Sequence, residues 1–351
     1  LVLNYLMKQQ RKKFNILFRT YGGKTKNKQT GIGHVIRSIN LAQKLKHDAN
    51  IFFLVEDFGG AKEVIDNYHF KFSSKIKKEI GYKEEINLLT KFIQSNNIDF
   101  VVVDQHKISD QIIKKLNNYT KTLVISDLEK LNFSSDIIVN GFVGLKNQKK
   151  YTNHQLQLLG PKYQILNTNF SKLHKSKKIF DLLITIGGLD ECNISEFILN
   201  SLNDKLEYLK IKIILGPLVK KTIFIKNLEK KFPKNLIVIH STNNMAKEIS
   251  QTKFGITSGG ITSYEFASQN IPFAIICDDI HQIPTAEKWN KLKKAVFLGY
   301  FNNSNKLHIQ KLLVNLTERK ISFKKSNTKL IDGLGSSKVS FEILNMLQNS
   351  K

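Results

Sequence analysis

The chain has 351 residues, enough for two domains at roughly 150 residues each, and its 41% hydrophobic content can furnish a core for both. No apolar run approaches the roughly 18 residues of a membrane-spanning helix. Integral membrane association is therefore not expected, and the short apolar start Leu1–Leu6 lacks the small-residue cleavage site of a secretory signal. The formal charge of +26 invites a nucleic-acid partner, but only four of the 55 basic residues are arginine, leaving 51 lysines scattered along the chain. Base readers favour arginine forks on clustered faces, so no nucleic acid is expected. Cys192 and Cys277 are too few for a disulfide framework, and a reducing cytoplasm is the simplest compartment.

Leu1–Lys13 is expected to be an extension ahead of the first strand. From there apolar runs alternate with amphipathic segments, the signature of repeated βα units. Strands are expected at Phe14–Arg19, Ile51–Glu56, Asp99–Asp104, Lys121–Ser126 and Ile137–Asn140. Helices are expected at His34–Lys46, Gly60–Tyr68, Lys83–Ser95 and Ser109–Asn117, with Tyr21–Thr30 read as a loop. Runs such as Phe100-Val101-Val102-Val103 predict strands buried on both faces, hence a parallel sheet. After a crossing segment near Gly160-Pro161 the alternation restarts. Strands are expected at Asp181–Ile186, Ile211–Leu215, Leu236–His240, Phe254–Thr257, Phe273–Cys277 and Val296–Leu298. The intervening helices are Ile194–Asn203, Val219–Lys231, Asn244–Gln251, Thr262–Ser268, Pro284–Lys294 and Lys306–Thr317. The reading is α/β: two doubly wound, Rossmann-like domains, residues 14–170 and 171–330, facing each other across a cleft. A last helix, Ser336–Leu347 within 331–351, can pack back on the first domain.

In such sheets ligands bind at the carboxyl ends of the strands. Gly31-Ile32-Gly33-His34-Val35-Ile36-Arg37 follows the first strand there. His34, at a helix start, is a candidate general base for a water molecule or simply a helix cap. Arg37, one turn on, can meet a phosphate or cover the helix surface. In the second half, Gly187-Gly188-Leu189-Asp190, with Asn193 opening the next helix, offers backbone N–H groups to an anion. It has neither the G-x-G-x-x-G fingerprint nor the P-loop lysine, so neither cofactor class is indicated. Thr257-Ser258-Gly259-Gly260-Ile261-Thr262-Ser263-Tyr264-Glu265 is the denser pattern. Its small residues admit a diphosphate to a helix N-terminus, and Glu265 can accept from a ribose diol or merely complement the helix dipole. Asp104 with His106, Asp127, Asn140, and His281-Gln282 after Asp278-Asp279 end other strands or begin helices at the same edge. Neither H-E-x-x-H nor G-x-S-x-G is present, and no metal site is expected.

Phe18-Arg19, the G-x-G-H-x-x-R stretch and Leu41-Ala42 resemble the opening of the nucleotide-sugar hydrolases of pseudaminic acid biosynthesis. Gly160-Pro161-Lys162-Tyr163-Gln164-Ile165-Leu166, Gly187-Gly188-x-Asp190, Asn244-Met245-Ala246, Ser258-Gly259-Gly260-x-Thr262-x-Tyr264-Glu265 and Asp332-Gly333-x-Gly335 are similar too, in order from Phe14 to Leu347. The resemblance implies a GT-B fold and hydrolysis of UDP-2,4-diacetamido-2,4,6-trideoxy-β-L-altropyranose, with inversion and without a cofactor or metal. By position it makes His34 the base and sets Gly187, Gly188, Ser258, Gly259, Gly260 and Thr262 around the diphosphate. The Asn244-Met245 region would flank the uracil and Glu265 would hold the ribose. The sequence departs from those relatives at Tyr21–Thr30, which is longer and carries Tyr21-Gly22-Gly23 and lysines in place of an acidic, serine-rich loop. A UDP-sugar is thus the expected partner and a monomer the expected state. The same nucleotide half would also suit a GT-B glycosyltransferase or a non-catalytic binding module.

Overall fold

The computed structural model describes residues 13–25, 28–76, 80–105, 107–152, 154–318 and 330–349. The extension expected at Leu1–Lys13 therefore lies, but for Lys13, outside the described residues, as does His106. The first sheet contains β1 (Phe14–Thr25), β2 (Lys28–Gly31), β3 (Ala49–Gly59), β4 (Phe72–Ile76), β5 (Phe100–Asp104), β6 (Lys121–Ile125), β7 (Ile137–Asn140), β8 (Gln148–Thr152) and β9 (Gln155–Leu159). Helices α1 (Gly33–Leu45), α2 (Ala61–Asn67), α3 (Tyr82–Ser95) and α4 (Asp110–Leu116) connect them. The second sheet comprises β10 (Phe180–Thr185), β11 (Ile211–Leu215), β12 (Leu236–His240), β13 (Thr252–Thr257), β14 (Phe273–Cys277) and β15 (Ala295–Tyr300). With it go α5 (Ile194–Ser201), α6 (Ile223–Lys231), α7 (Met245–Ser250), α8 (Ile261–Ser268), α9 (Ile283–Lys291) and α10 (Lys306–Thr317), and α11 (Gly335–Asn349) closes the chain.

The order of the second sheet is β12-β11-β10-β13-β14-β15, every pair parallel. The first sheet repeats this order as β4-β3-β1-β5-β6-β7 and then adds the β9-β8 hairpin. Both are doubly wound, and each has a switch point where the connections leave in opposite directions: between β1 and β5, and between β10 and β13. Central strands are buried throughout, as at Phe100–Asp104 and Phe273–Cys277, because helices cover both faces of each sheet. Helix α11 returns to the first sheet: Val339, Ile343 and Leu347, spaced along one helical face, join Ile16, Phe18, Val35 and Ile39 in one core cluster. Among the described residues no helix is long and apolar enough to cross a membrane.

Contacts among the described residues join the halves, and three lie near the facing sheet edges. The Tyr264 hydroxyl accepts the Val143 N–H at 3.2 Å. A side chain at Gly188 would overlap Ile32, and one at Gly60 would overlap Leu218.

The expected strands and helices are present with shifted ends, but three regions differ. Tyr21–Thr30 is no loop: β1 runs on to Thr25 and pairs antiparallel with β2, Gly23 opposite Gly31. The strand β4 and the hairpin β8–β9 were not expected. Strand β8 is exposed along its whole length and reads Gln-Lys-Lys-Tyr-Thr, so no apolar alternation marks it. Helix α6 starts at Ile223 rather than Val219, because the Thr222 side chain accepts the Ile225 N–H and caps it there.

Trp289, the chain's one tryptophan, is fully buried and meets Tyr264 edge-on with ring centroids 5.2 Å apart. Phe266, also fully buried, stacks on Phe273 in the same cluster. Phe266→Ala is expected to destabilise the protein by about 3–5 kcal/mol through the cavity it leaves, measured as a lower denaturant midpoint of Trp289 fluorescence.

Candidate active site at the facing sheet edges

His34 is the second residue of α1, in the connection that leaves β1 at the first switch point. It does not cap its helix, since the first turn of α1 has no side-chain cap. Its Nδ1 lies 2.6 Å from Oδ1 of Asp104, the last residue of β5 and fully buried. Arg37, one turn further along α1, donates to both oxygens of Asp104, from Nε at 2.9 Å and Nη2 at 2.6 Å. Its other edge donates to Asp127 at 2.6 and 3.2 Å. Burial raises the Asp104 carboxyl, but Arg37 and then His34 outweigh it and hold the group below the usual carboxylate range. An ionised Asp104 only accepts, so Nδ1 carries the proton towards it, and in the neutral imidazole Nε2 is the nitrogen that holds the lone pair. Arg37 Nη2 also lies 3.1 Å from Nδ1, but two donors cannot bond each other; the approach follows from their shared acceptor. The buried carboxylate thus fixes ring and tautomer, the arrangement a general base needs.

The second sheet presents its own switch point to the same place. Gly187, with φ +95°, follows β10, and Ser258-Gly259-Gly260 follows β13. A Cβ on Gly187 or Gly260 would lie 3.6 or 3.7 Å from the Ser258 hydroxyl oxygen. Gly259 donates its N–H to Gln282 Oε1 at 3.0 Å, and Gln282 Nε2 donates to Asp278 at 2.6 Å, which pins the turn. Helix α8 begins at Ile261 without a side-chain cap. Gly33, the first residue of α1, has Ile261 as its neighbour: a Cβ there would sit 3.7 Å from the Ile261 side chain. Two uncapped helix N-termini therefore converge, and their free N–H groups and dipoles suit an anion bearing more than one charge. Glu265, one turn into α8, is half-buried, and the loss of water around its carboxyl pushes it up to about 7 against a weaker opposing bond from Thr262.

The structure brings together Gly31, Gly33, His34, Gly187, Gly188, Ser258, Gly259, Gly260 and Thr262, with Glu265 beside them. Other residues expected to touch a ligand are engaged elsewhere. Asp104 is sealed from solvent and reaches the cleft only through His34. The Arg37 guanidinium is taken up by two carboxylates, so it neither meets a phosphate nor covers the helix surface. Asn140 is fully buried; its amide donates to Ser126 and to the Leu128 carbonyl and accepts from the Phe142 N–H, which makes it a latch on the loop after β7. Asp190 accepts the N–H groups of Ile194 and Ser195 and caps α5, while Asn193 takes the left-handed turn position at φ +53°. The Asn244 side chain caps α7 by accepting the Lys247 N–H, and Met245 is packed against the Trp289 cluster. His281 is exposed, its backbone N–H donated to Asp279. Asp127, expected as a strand-end acid at the ligand edge or as a helix cap, instead accepts the other edge of the Arg37 guanidinium.

No family model matches the chain. It is 28% identical over 306 residues to an uncharacterised protein of Methanocaldococcus jannaschii, covering 81% of this chain but only 58% of that relative's length. It is 23% identical over 321 residues to the spore coat polysaccharide biosynthesis protein SpsG of Bacillus subtilis, covering 88% of this chain and 92% of SpsG. Among solved structures, MurG of Acinetobacter baumannii superposes with a TM-score of 0.62 at 13% identity, over 95% of this chain and 99% of MurG. MnaA of S. aureus in complex with UDP gives 0.58 at 14%, over 96% and 97%. HepE of Anabaena in complex with UDP gives 0.54 at 10%, over 96% and 100%. At these identities the likeness is one of fold: two Rossmann-like sheets of parallel strands in the GT-B arrangement.

Replacing Arg37 strands a buried carboxylate. Arg37→Met is expected to cost about 3–5 kcal/mol of stability, read as the difference in unfolding free energy from the parent protein. Because the Asp104 carboxyl is held below its ordinary value, its contribution is present above that value and is lost as pH falls through the lower folded one. The difference should therefore narrow on acidification below about pH 4.

Proposed function

We propose that the chain hydrolyses the anomeric C–O bond of a UDP-linked diacetamido trideoxy sugar, UDP-2,4-diacetamido-2,4,6-trideoxy-β-L-altropyranose or a close relative, with inversion. The observation that carries this reading is the meeting of a carboxylate-anchored imidazole with two uncapped helix N-termini. A diphosphate leaving group needs little acid assistance but needs its growing charge received, and the convergent N–H groups of α8 and the glycine turns can receive it. His34 Nε2 takes a proton from water as the water oxygen bonds to the anomeric carbon, and the C–O bond pair leaves with UDP. Two further observations support it: SpsG is a polysaccharide biosynthesis protein, and two proteins of the same fold hold UDP. In this reading Ser258, Gly259, Gly260 and Thr262 surround the diphosphate, Glu265 accepts from the ribose diol, and the substrate is consumed in building a surface polysaccharide.

The test is UDP release from a panel of UDP-sugars with no acceptor present. Release from a diacetamido trideoxy sugar is expected; release only after an acceptor is added would make the protein a transferase instead. His34→Gln should lower kcat by about 10²–10⁴-fold and leave the Kd of UDP unchanged.

Glu265 sets a pH dependence. Its folded carboxyl sits near 7, above the ordinary 4.5, so the fold holds the proton more tightly than the unfolded chain and loses stability as pH rises between those values. The ionised form is the acceptor for a diol. UDP affinity is therefore expected to rise as pH passes through about 7, in calorimetric titrations, and Glu265→Gln should flatten that rise.

A further inference from the structure

Strand β1 pairs with β5 only as far as Thr20 opposite Asp104, but with β3 it continues through Tyr21 opposite Glu56 and Gly22 opposite Asp57. Tyr21 is thus the first residue past the point where β5 has ended, directly over the switch-point crevice. Its ring lies against the His34 imidazole with centroids 4.7 Å apart and planes tilted by 42°. Phe58 braces it edge-on at 6.5 Å. The backbone behind it is confined: a Cβ on Gly22 would fall 2.9 Å from Val35 and 3.0 Å from the Gly31 carbonyl oxygen. Gly23, at φ +126°, has no room for one against Gly59. The phenol is half-buried, and its hydroxyl has no hydrogen-bond partner among the described residues. Asp104, Asp127, Arg37 and, from the second half, Asp279 are near enough to act on it electrostatically. Burial first, then those carboxylates, keep the hydroxyl un-ionised, so it remains a donor.

We infer that Tyr21 is a positioning and specificity residue of this site: its ring holds the His34 imidazole so that Nε2 faces the cleft, and its hydroxyl donates to an oxygen of the bound sugar. The assignment rests on the hydrolase reading for the sugar contact, and on the ring packing alone for the hold on His34. Asp104 anchors one edge of the imidazole through Nδ1, and Tyr21 covers a face, so two contacts together fix the ring's remaining rotation.

Tyr21→Phe and Tyr21→Ala separate the two roles. Tyr21→Phe keeps the ring and should raise KM about tenfold with little change in kcat, the signature of a lost uniform contact. Tyr21→Ala should also lower kcat at least tenfold and move the pH limb that reports the base. UDP affinity should stay at the parent value in both, which certifies that they fold. A second readout needs no turnover: the His34 Hε1 proton resonance, identified by its loss in His34→Gln, should shift in Tyr21→Ala and barely in Tyr21→Phe. Parent-like KM, kcat and pH limb in both variants, or an unmoved His34 resonance in Tyr21→Ala, overturns the inference. If the parent protein releases UDP from no sugar, the hydrolase reading fails, and the resonance still decides whether Tyr21 holds His34.

Discussion

A carboxylate with no access to water has to be matched by charge and by hydrogen bonds, and Asp104 is matched on every side: twice by Arg37 and once by His34. That requirement ties the end of β5 to the first two turns of α1, across the switch point of the first sheet. It explains why Arg37 sits one turn after His34, where a helix places both side chains on one face. It also explains why Asp127 stands at the end of β6, where it accepts the other edge of the guanidinium. Arg19, in the neighbouring strand, repeats the device with Glu85 at 2.8 Å. The fold and the candidate base are therefore not separable: the group that orients the imidazole also closes the sheet edge.

The repeated strand order does the remaining work. Because each sheet reverses at its central pair, each opens a crevice at its carboxyl edge, and placing the sheets edge to edge sets two crevices face to face. At these crevices α1 and α8 start at or just after a glycine, and neither has a side chain capping its first turn. The helices beside them, α5, α6 and α7, are capped by Asp190, Thr222 and Asn244.

Much of this was legible in the sequence, and the reasons differ by element. Strands such as Phe100–Asp104 announce themselves by unbroken apolar content, and the glycine turns by residues that only tight backbone geometry requires. The hairpin β1–β2 and the strand β8 carry no such mark: neither sequence alternates apolar and polar residues, and β8 is exposed along its whole length. Side-chain roles were harder. Arg37, Asp104, Asp190, Asn140 and Asn244 have the chemistry of ligand contacts, and a linear pattern does not say whether a polar group faces a ligand or a neighbouring backbone. Only three-dimensional proximity reveals that these are spent on the protein itself. Tyr21 shows the reverse: an aromatic in a supposed loop that packs on the imidazole.

The contact between Ile32 and Gly188 ties the candidate base to the other half of the chain. Ile32 immediately precedes Gly33 and His34, and Gly188 belongs to the turn that follows β10, so one side chain is wedged against the opposite half. Parting the halves withdraws Ile32, and with it the imidazole and the start of α1, from the turns of the second sheet. The spacing between the candidate base and those turns is therefore set by one side chain rather than by either sheet alone.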